Sequence, residues 1–240
     1  MPFRKPRTPK APQRPRCACI VAAAGESTRM GGIPKILAEI NGKPVIVHTL
    51  EALQTSEAID EVVIATQRDM IPEIYELCKR FELTKVTRVV RGGESRLESV
   101  MAALQEIDDS TQLVAVHDGA RPLVRHDDIG AVVTQAATYG AAILAVPLKD
   151  TVKEIQDGLV KHTIQRAKYF SVQTPQVFDL HVLREALGKA MREGGDVTDD
   201  STAVERLGVP VHVVIGSYDN IKITTPEDLV VAAGLLDTRL

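Results

Sequence analysis

The chain has 240 residues, of which 44% are hydrophobic, 25% charged and 3% aromatic, with no tryptophan. This length and balance suit one globular domain with a sizeable core, and a formal net charge of -3, from 29 Lys and Arg against 32 Asp and Glu, leaves no global basic field for nucleic acid. The shortage of aromatics excludes base-stacking platforms of the single-strand-binding kind, and no apolar run approaches the ~20 residues that span a bilayer.

Met1 to Arg16 alternates Pro with Lys and Arg and lacks the apolar segment of a secretory leader. It is expected to be a disordered, solvated tail, with residues 17–240 forming the domain. Cys17, Cys19 and Cys78 show no metal-ligand spacing and read as small core residues, so a cytoplasmic protein is expected.

Cys17 to Ala24 is an apolar run that fits a strand buried on both faces. It leads into a turn in which Gly25, Gly31 and Gly32 allow backbone angles that a side chain forbids. Such a loop brings N–H groups close to phosphate oxygens, and Arg29 and Lys35 add two positive charges where a triphosphate needs neutralising. Positions 25, 27 and 30 are Gly, Ser and Met, which rules out the dinucleotide fingerprint, and no Gly-Lys-Ser/Thr follows.

Asn41-Gly42 marks a turn, and Val45 to Gln54 has helical spacing with Val45, Val47, Leu50 and Leu53 inward. Glu61 to Ala65 is a strand, Ile71 to Phe81 a helix, Lys85 to Val90 a strand, and Ser95 to Ile107 a helix. Leu113 to His117 is a strand, Asp127 to Tyr139 a helix and Ala141 to Pro147 a strand. This alternation predicts an α/β fold with a parallel sheet wound by helices. The pattern breaks between Pro147 and Phe178, where two polar and β-branched stretches flank Asp157-Gly158. That is a hairpin signature, and a two-stranded ribbon alone is marginal in water, so an arm at about 148–172 is expected to pack on a second subunit. Leu180 to Met191 and Asp199 to Leu207 read as helices, Val211 to Ile215 and Asn220 to Ile223 as strands, and Pro226 to Leu236 as the closing helix.

In open parallel sheets ligands bind beyond the carboxyl ends of the strands. Polar groups are dense there: Gly92-Gly93-Glu94-Ser95-Arg96, His117-Asp118-Gly119-Ala120-Arg121, Lys149-Asp150-Thr151, and Lys222. With Ala23-Ala24-Gly25-x-x-x-Arg29-Met30, Pro34-Lys35, Ser99, Pro122, Thr174-Pro175-Gln176, Thr198-Asp199-Asp200, Asn220-Ile221-Lys222-Ile223-Thr224 and Pro226-Glu227-Asp228-Leu229, they form an ordered set of blocks from about Ile20 to Leu236. On these blocks the chain resembles the 2-C-methyl-D-erythritol 4-phosphate cytidylyltransferases of nonmevalonate isoprenoid biosynthesis. Ser27 stands where many members carry a glycine and Ile36 where many carry Gln, and neither change removes a charge.

The resemblance implies a Rossmann-like, doubly wound, mostly parallel sheet of the nucleotide-diphospho-sugar transferase type, with the arm serving dimerisation. It implies that a sugar-alcohol phosphate attacks the α-phosphorus of CTP with Mg²⁺ present. A phosphate monoester is mostly dianionic at pH 7, so cations and positioning, rather than a general base, should carry the catalysis. The implied catalytic residues are Arg29 and Lys35 on the triphosphate, Lys222 between α-phosphate and incoming phosphate, and Arg166, eight positions before Thr174, reaching the neighbouring active site of a homodimer. Asp118, Arg121, Thr151 and Thr174 are implied to bind the polyol phosphate, with Asp118 touching metal-bound water and no direct protein ligand to the metal. Ala22, Ala23, Gly25, Gly93, Glu94 and Ser99 are implied to bind the nucleotide, cytosine being read largely by main chain. His117 reads as packed against the sheet. A ribitol 5-phosphate cytidylyltransferase would use the same arginines. A molybdopterin nucleotidyltransferase shares the first loop but not the later blocks. A dinucleotide-binding oxidoreductase lacks its fingerprint here, and a non-catalytic nucleotide sensor need not keep Arg29, Lys35, Arg166 and Lys222 together.

Overall fold

A computed structural model of the chain describes residues 14–25, 34–194 and 197–238. In chain order the elements are β1 (Cys17–Ala23), β2 (Glu39–Ile40), β3 (Lys43–Pro44), α1 (Val45–Thr55), β4 (Glu61–Thr66), α2 (Ile71–Arg80), β5 (Val86–Arg91), α3 (Arg96–Leu104), β6 (Leu113–Asp118) and α4 (His126–Tyr139). There follow β7 (Ala141–Pro147), β8 (Lys153–Gln156), β9 (Leu159–Thr163), β10 (Phe170–Asp179), α5 (Leu180–Glu193), α6 (Asp200–Glu205), β11 (His212–Ile215) and α7 (Pro226–Asp237).

Seven strands form the central sheet in the order β11-β7-β10-β6-β1-β4-β5. Every neighbouring pair is parallel except those made by β10, which runs antiparallel to both β6 and β7. The sheet is thus mostly parallel and covered on both faces. Cys17, Cys19 and Val21 of β1 enter one core with α1, α2 and α4, while Ala18 and Ile20 enter the other with α3 and α5. An aliphatic side chain as fully buried as Ile20 stabilises the fold by roughly 1.5–3 kcal/mol. The cysteines are buried or half-buried, and burial pushes the thiols of Cys17 and Cys78 up to about 12 and about 11.

Chain reversal at β1 positions the site. From β1 the chain moves outward through β4 and β5, then returns to place β6 on the other side of β1. The carboxyl ends of β1 and β6 therefore diverge, which leaves a crevice between their following loops. The two short hairpins obey local rules: Asn41 and Gly42 have φ of 51° and 75°, and Asp157 and Gly158 have φ of 53° and 78°, the doubly positive turn that matches strand twist.

Several expectations need correction. The sequence pattern does not mark β10 as a strand, because Pro175 lies within it and proline removes a ladder donor. The strand tolerates it by an irregularity: pairing with β7 runs from Phe170 to Val172 and resumes at Gln176. Phe170–Val172 thus belong to the central sheet rather than to the arm, whose exposed hairpin is β8 with β9. Asn220 to Ile223 is not a strand. Ile223 N donates to Ala120 O, and Asn220 O accepts from Arg121, which ties this stretch to the β6–α4 loop instead of to a sheet edge. The expected tail ended at Arg16, yet Arg14 pairs with Asp60 at 2.8 Å and Arg16 with Glu61 at 2.6 Å, pinning residues 14–16 beside β4. Residues 1–13 lie outside the described residues.

Candidate active site

The loops after β1, β4, β5 and β6, with the 220–224 segment, enclose a cavity of about 920 Å³. Of the residues singled out by sequence, it brings together Ala22, Ala23, Gly25, Lys35, Gly93, Glu94, Ser99, Asp118 and Lys222. Arg29 lies outside the described residues.

One wall is the loop between β5 and α3. Its sequence folds onto the helix start by a capping box: Ser95 Oγ accepts from Glu98 N at 3.1 Å, and Glu98 Oε2 accepts from Ser95 N at 3.0 Å and Glu94 N at 2.6 Å. Ser99 Oγ accepts from Gly93 N at 3.1 Å and donates to Ser95 O at 2.9 Å. Both glycines are needed for the close approach. A Cβ on Gly92 would fall 2.5 Å from Ala24 Cβ, and one on Gly93 2.2 Å from Glu98 Cβ. Lys35 Nζ lies 4.0 Å from where a Cβ on Gly25 would stand, and both residues line the cavity.

At the floor Asp118 closes β6 and is 7% exposed. Lys222 Nζ lies 2.8 Å and Arg121 Nε 3.4 Å from its Oδ2, and Arg96 Nε lies 3.7 Å from its Oδ1. Burial alone would raise the Asp118 pKa, but Lys222, Arg96 and Arg121 outweigh it and hold the carboxyl well below the usual range. Arg96 also meets Asp200, 1% exposed, at 2.7 Å. Burial pulls the guanidinium down and Asp200 pushes it up, with the balance upward. Asp200 itself is raised by desolvation against the pull of Arg96.

Other candidates sit differently. Arg121 flanks the floor behind Asp118, and its Nη1 donates to Asn220 O at 2.7 Å. Thr174 is 5% exposed, and its hydroxyl is engaged with Asp118 N and the His117 ring instead of facing the cavity. Thr151 is exposed in the segment leaving β7 and does not line the cavity, because the chain there runs out toward the arm. Arg166 is likewise exposed, donating to Lys149 O, and does not reach the cavity of its own chain. In the sequence Arg96 and Asp200 stand out only as parts of motifs. Of the adjacent carboxylates, Asp199 caps α6 and Asp200 meets Arg96, a division of labour with no local sequence signal.

Comparison with known proteins adds the decisive observation: the 2-C-methyl-D-erythritol 4-phosphate cytidylyltransferase family profile matches residues 17–238. The chain belongs to this family. It is 44% identical over 222 residues to the 2-C-methyl-D-erythritol 4-phosphate cytidylyltransferase of Dehalococcoides mccartyi, covering 92% of this chain and 96% of that relative. It is 44% identical over 228 residues to the enzyme of the same name from Pelotomaculum thermopropionicum, covering 93% and 95%. Among solved structures it is similar to 4-diphosphocytidyl-2C-methyl-D-erythritol synthase from Anaerococcus prevotii, with a TM-score of 0.83, 32% identity and coverage of 93% and 96%. The 2-C-methyl-D-erythritol 4-phosphate cytidylyltransferase of Thermus thermophilus gives a TM-score of 0.77 at 31% identity, covering 91% and 98%. The mostly parallel sheet with flanking helices is thus the cytidylyltransferase family's fold.

Proposed function

We propose that this chain transfers the cytidylyl group of CTP to 2-C-methyl-D-erythritol 4-phosphate, giving 4-diphosphocytidyl-2-C-methyl-D-erythritol and pyrophosphate. The observation that carries this reading is family membership over residues 17–238, joined to a crevice lined by Lys35, Arg96 and Lys222, with Arg121 behind Asp118. In the reaction a phosphate oxygen of the polyol bonds to the α-phosphorus of CTP. The bond from that phosphorus to the β-phosphate bridging oxygen breaks, and pyrophosphate leaves with the electron pair.

The attacking monoester is already dianionic at neutral pH, so no side chain has to take its proton. The barrier is the approach of two anions and the charge gathering on the leaving group. Lys35, with Arg29 on the same loop, neutralises the triphosphate. Lys222, held at the floor by Asp118, bridges the α-phosphate and the incoming phosphate in this reading. The main chain at Ala22, Ala23 and Gly93, with Glu94 and Ser99, reads the base, and Gly25 offers its main chain to the phosphates. Asp118 and Arg121 orient the polyol, with Thr174 behind them and Thr151 toward the arm.

Among the described residues no three His, Cys, Asp or Glu side chains gather as a metal cage. Asp118, the carboxylate at the cavity floor, is the residue that would hold an Mg²⁺ carried on the nucleotide's phosphates, and the ion would there supply positive charge to the transferred and leaving phosphates. The arm supports a homodimer of single-domain subunits. Ile155, Leu159 and Val160 of its hairpin are 57%, 74% and 57% exposed, apolar surface that a second copy would cover, and Arg166 beside it would then enter the neighbouring site. Among the described residues no helix is long and apolar enough to cross a membrane. We place the enzyme in the cytoplasm, where its three cysteines stay reduced.

Pyrophosphate release from CTP with methylerythritol phosphate and ribitol 5-phosphate in parallel tests the reading. Turnover with the first alone supports it, and turnover confined to ribitol phosphate, or none with either, overturns it.

A further inference from the structure

The sheet is broken where it meets the active site. β10 pairs with β6 from Asp179 back to Gln176 and no further, because the next residue is Pro175, which has no N–H to donate. Side chains make the missing connections. Asp118 N donates to Thr174 Oγ1 at 3.0 Å, and Asn220 Nδ2 donates to Thr174 O at 2.9 Å. Arg121 Nη1 donates to Asn220 O at 2.7 Å. His117, fully buried, closes the circuit, its Nδ1 2.9 Å from Thr174 Oγ1 and its Nε2 3.3 Å from Arg121 O. The result is a ring, His117 to Thr174 to Asn220 to Arg121 and back, directly beneath Asp118 and two residues from Lys222.

Thr174 Oγ1 accepts from Asp118 N and keeps its own hydrogen to donate, which suits an unprotonated His117 Nδ1. Arg121 O is only an acceptor, so His117 Nε2 carries the hydrogen. In the neutral ring, the form that burial favours, the proton then sits on Nε2 and Nδ1 accepts from Thr174 Oγ1. Burial is the largest influence on its pKa, bringing it down to about 4, which agrees with that form at physiological pH.

We propose that His117 is a positioning residue for cytidylyl transfer: as the neutral Nε2–H tautomer it closes the hydrogen-bonded ring that holds Asp118, Arg121 and Lys222 in register across the break in the sheet. It touches no substrate and acts through its neighbours. The proposal rests on the assignment of Asp118 and Arg121 to the acceptor and of Lys222 to the bridge between the acceptor phosphate and the α-phosphate. The loop from Gly92 to Ser95, which faces the nucleotide, is fixed by its own capping box and does not hang from the ring.

The test compares His117→Phe, His117→Asn, Thr174→Val and Thr174→Ser in steady-state kinetics with methylerythritol phosphate, alongside CTP affinity by calorimetry. His117→Phe should lower kcat/KM for the acceptor about tenfold or more while CTP affinity stays within about twofold of wild type. His117→Asn keeps an acceptor at the Nδ1 position and should fall between the two. Thr174→Ser, which keeps the hydroxyl, should retain more activity than Thr174→Val, which keeps the shape. A role in packing alone predicts the reverse order. The double variant His117→Phe/Thr174→Val should lose less than the product of the single losses. Unchanged acceptor kinetics in His117→Phe, Thr174→Val at least as active as Thr174→Ser, or CTP affinity lost in parallel with turnover overturns the proposal. If His117→Phe fails to fold, the two Thr174 variants decide it. Wild-type protein inert toward both substrates would instead overturn the functional reading, which keeps the two failures distinct.

Discussion

Replacing Arg96 with Met should be costly for a reason that can be worked out from its partners. Asp200 is 1% exposed and meets Arg96 Nη2 at 2.7 Å, and the other nearby charges that act on it, Asp118 and Asp199, are negative. Arg96→Met therefore leaves a carboxylate in the interior with only like charges around it. Breaking a buried pair in this way costs about 3–5 kcal/mol, which for a chain of this length lowers the melting midpoint by roughly 6–20 °C. Asp200→Asn should cost less, because Arg96 retains Asp118 at 3.7 Å and its side chain is 30% exposed. The double variant Arg96→Met/Asp200→Asn should recover most of the stability lost in Arg96→Met. Without Arg96 the raised pKa of Asp200 climbs further, so folding takes up a proton. The sign follows from that uptake: in Arg96→Met the Asp200 contribution to stability is fully present below the ordinary aspartate pKa and is lost as pH rises toward the raised folded value. Urea unfolding of the four proteins from pH 4 to 8 measures both effects. If Arg96→Met lies within about 1 kcal/mol of wild type, or shows no added pH dependence that Asp200→Asn removes, the pair does not hold this part of the fold together.

Lys35→Ala should leave the melting curve near wild type but slow turnover at least ~100-fold, and single-turnover kinetics with near-normal kcat would remove Lys35 from the transition state. The depressed pKa of Asp118 contributes stability that is present above the ordinary aspartate pKa and lost as pH falls below about 4, so Asp118→Asn should flatten the acid limb of a stability–pH curve measured by urea titration. If the arm supplies Arg166 to a neighbour, mixing inactive Arg166→Ala with inactive Lys35→Ala should restore about a quarter of the wild-type sites, because half the dimers are hybrids and each hybrid has one intact site. An inert mixture, with subunit exchange verified by mass spectrometry, would return Arg166 to the solvent-exposed surface.

Much of the fold is legible in the sequence where one pattern has one outcome. Cys17 to Ala24 carries no charged or large polar residue, and a strand buried on both faces is the geometry it fits. The arm is legible because Asp157-Gly158 prescribes its turn. β10 is hidden because Pro175 argues locally against a strand, and what permits it is tertiary: Thr174, His117 and Asn220 supply the bonds that the proline cannot. Asn220 to Ile223 alternates like a strand, but its polar backbone groups are claimed by Arg121 and Ala120 across a loop. At the site, charged residues just after strands mark the crevice well. Sequence does not say that Arg96 bridges two carboxylates or that the Thr174 hydroxyl turns inward, since both depend on contacts between residues far apart in the chain.

The anchoring of Arg14 and Arg16 beside β4 gives the molecule a polarity of practical use. These residues sit at the start of β1, and the crevice opens at its other end, seven residues and about 20 Å away. A dye, bead or carrier coupled at that entry point would face away from the mouth of the crevice. Enzyme immobilised there should work facing outward, with its catalytic rim unobstructed.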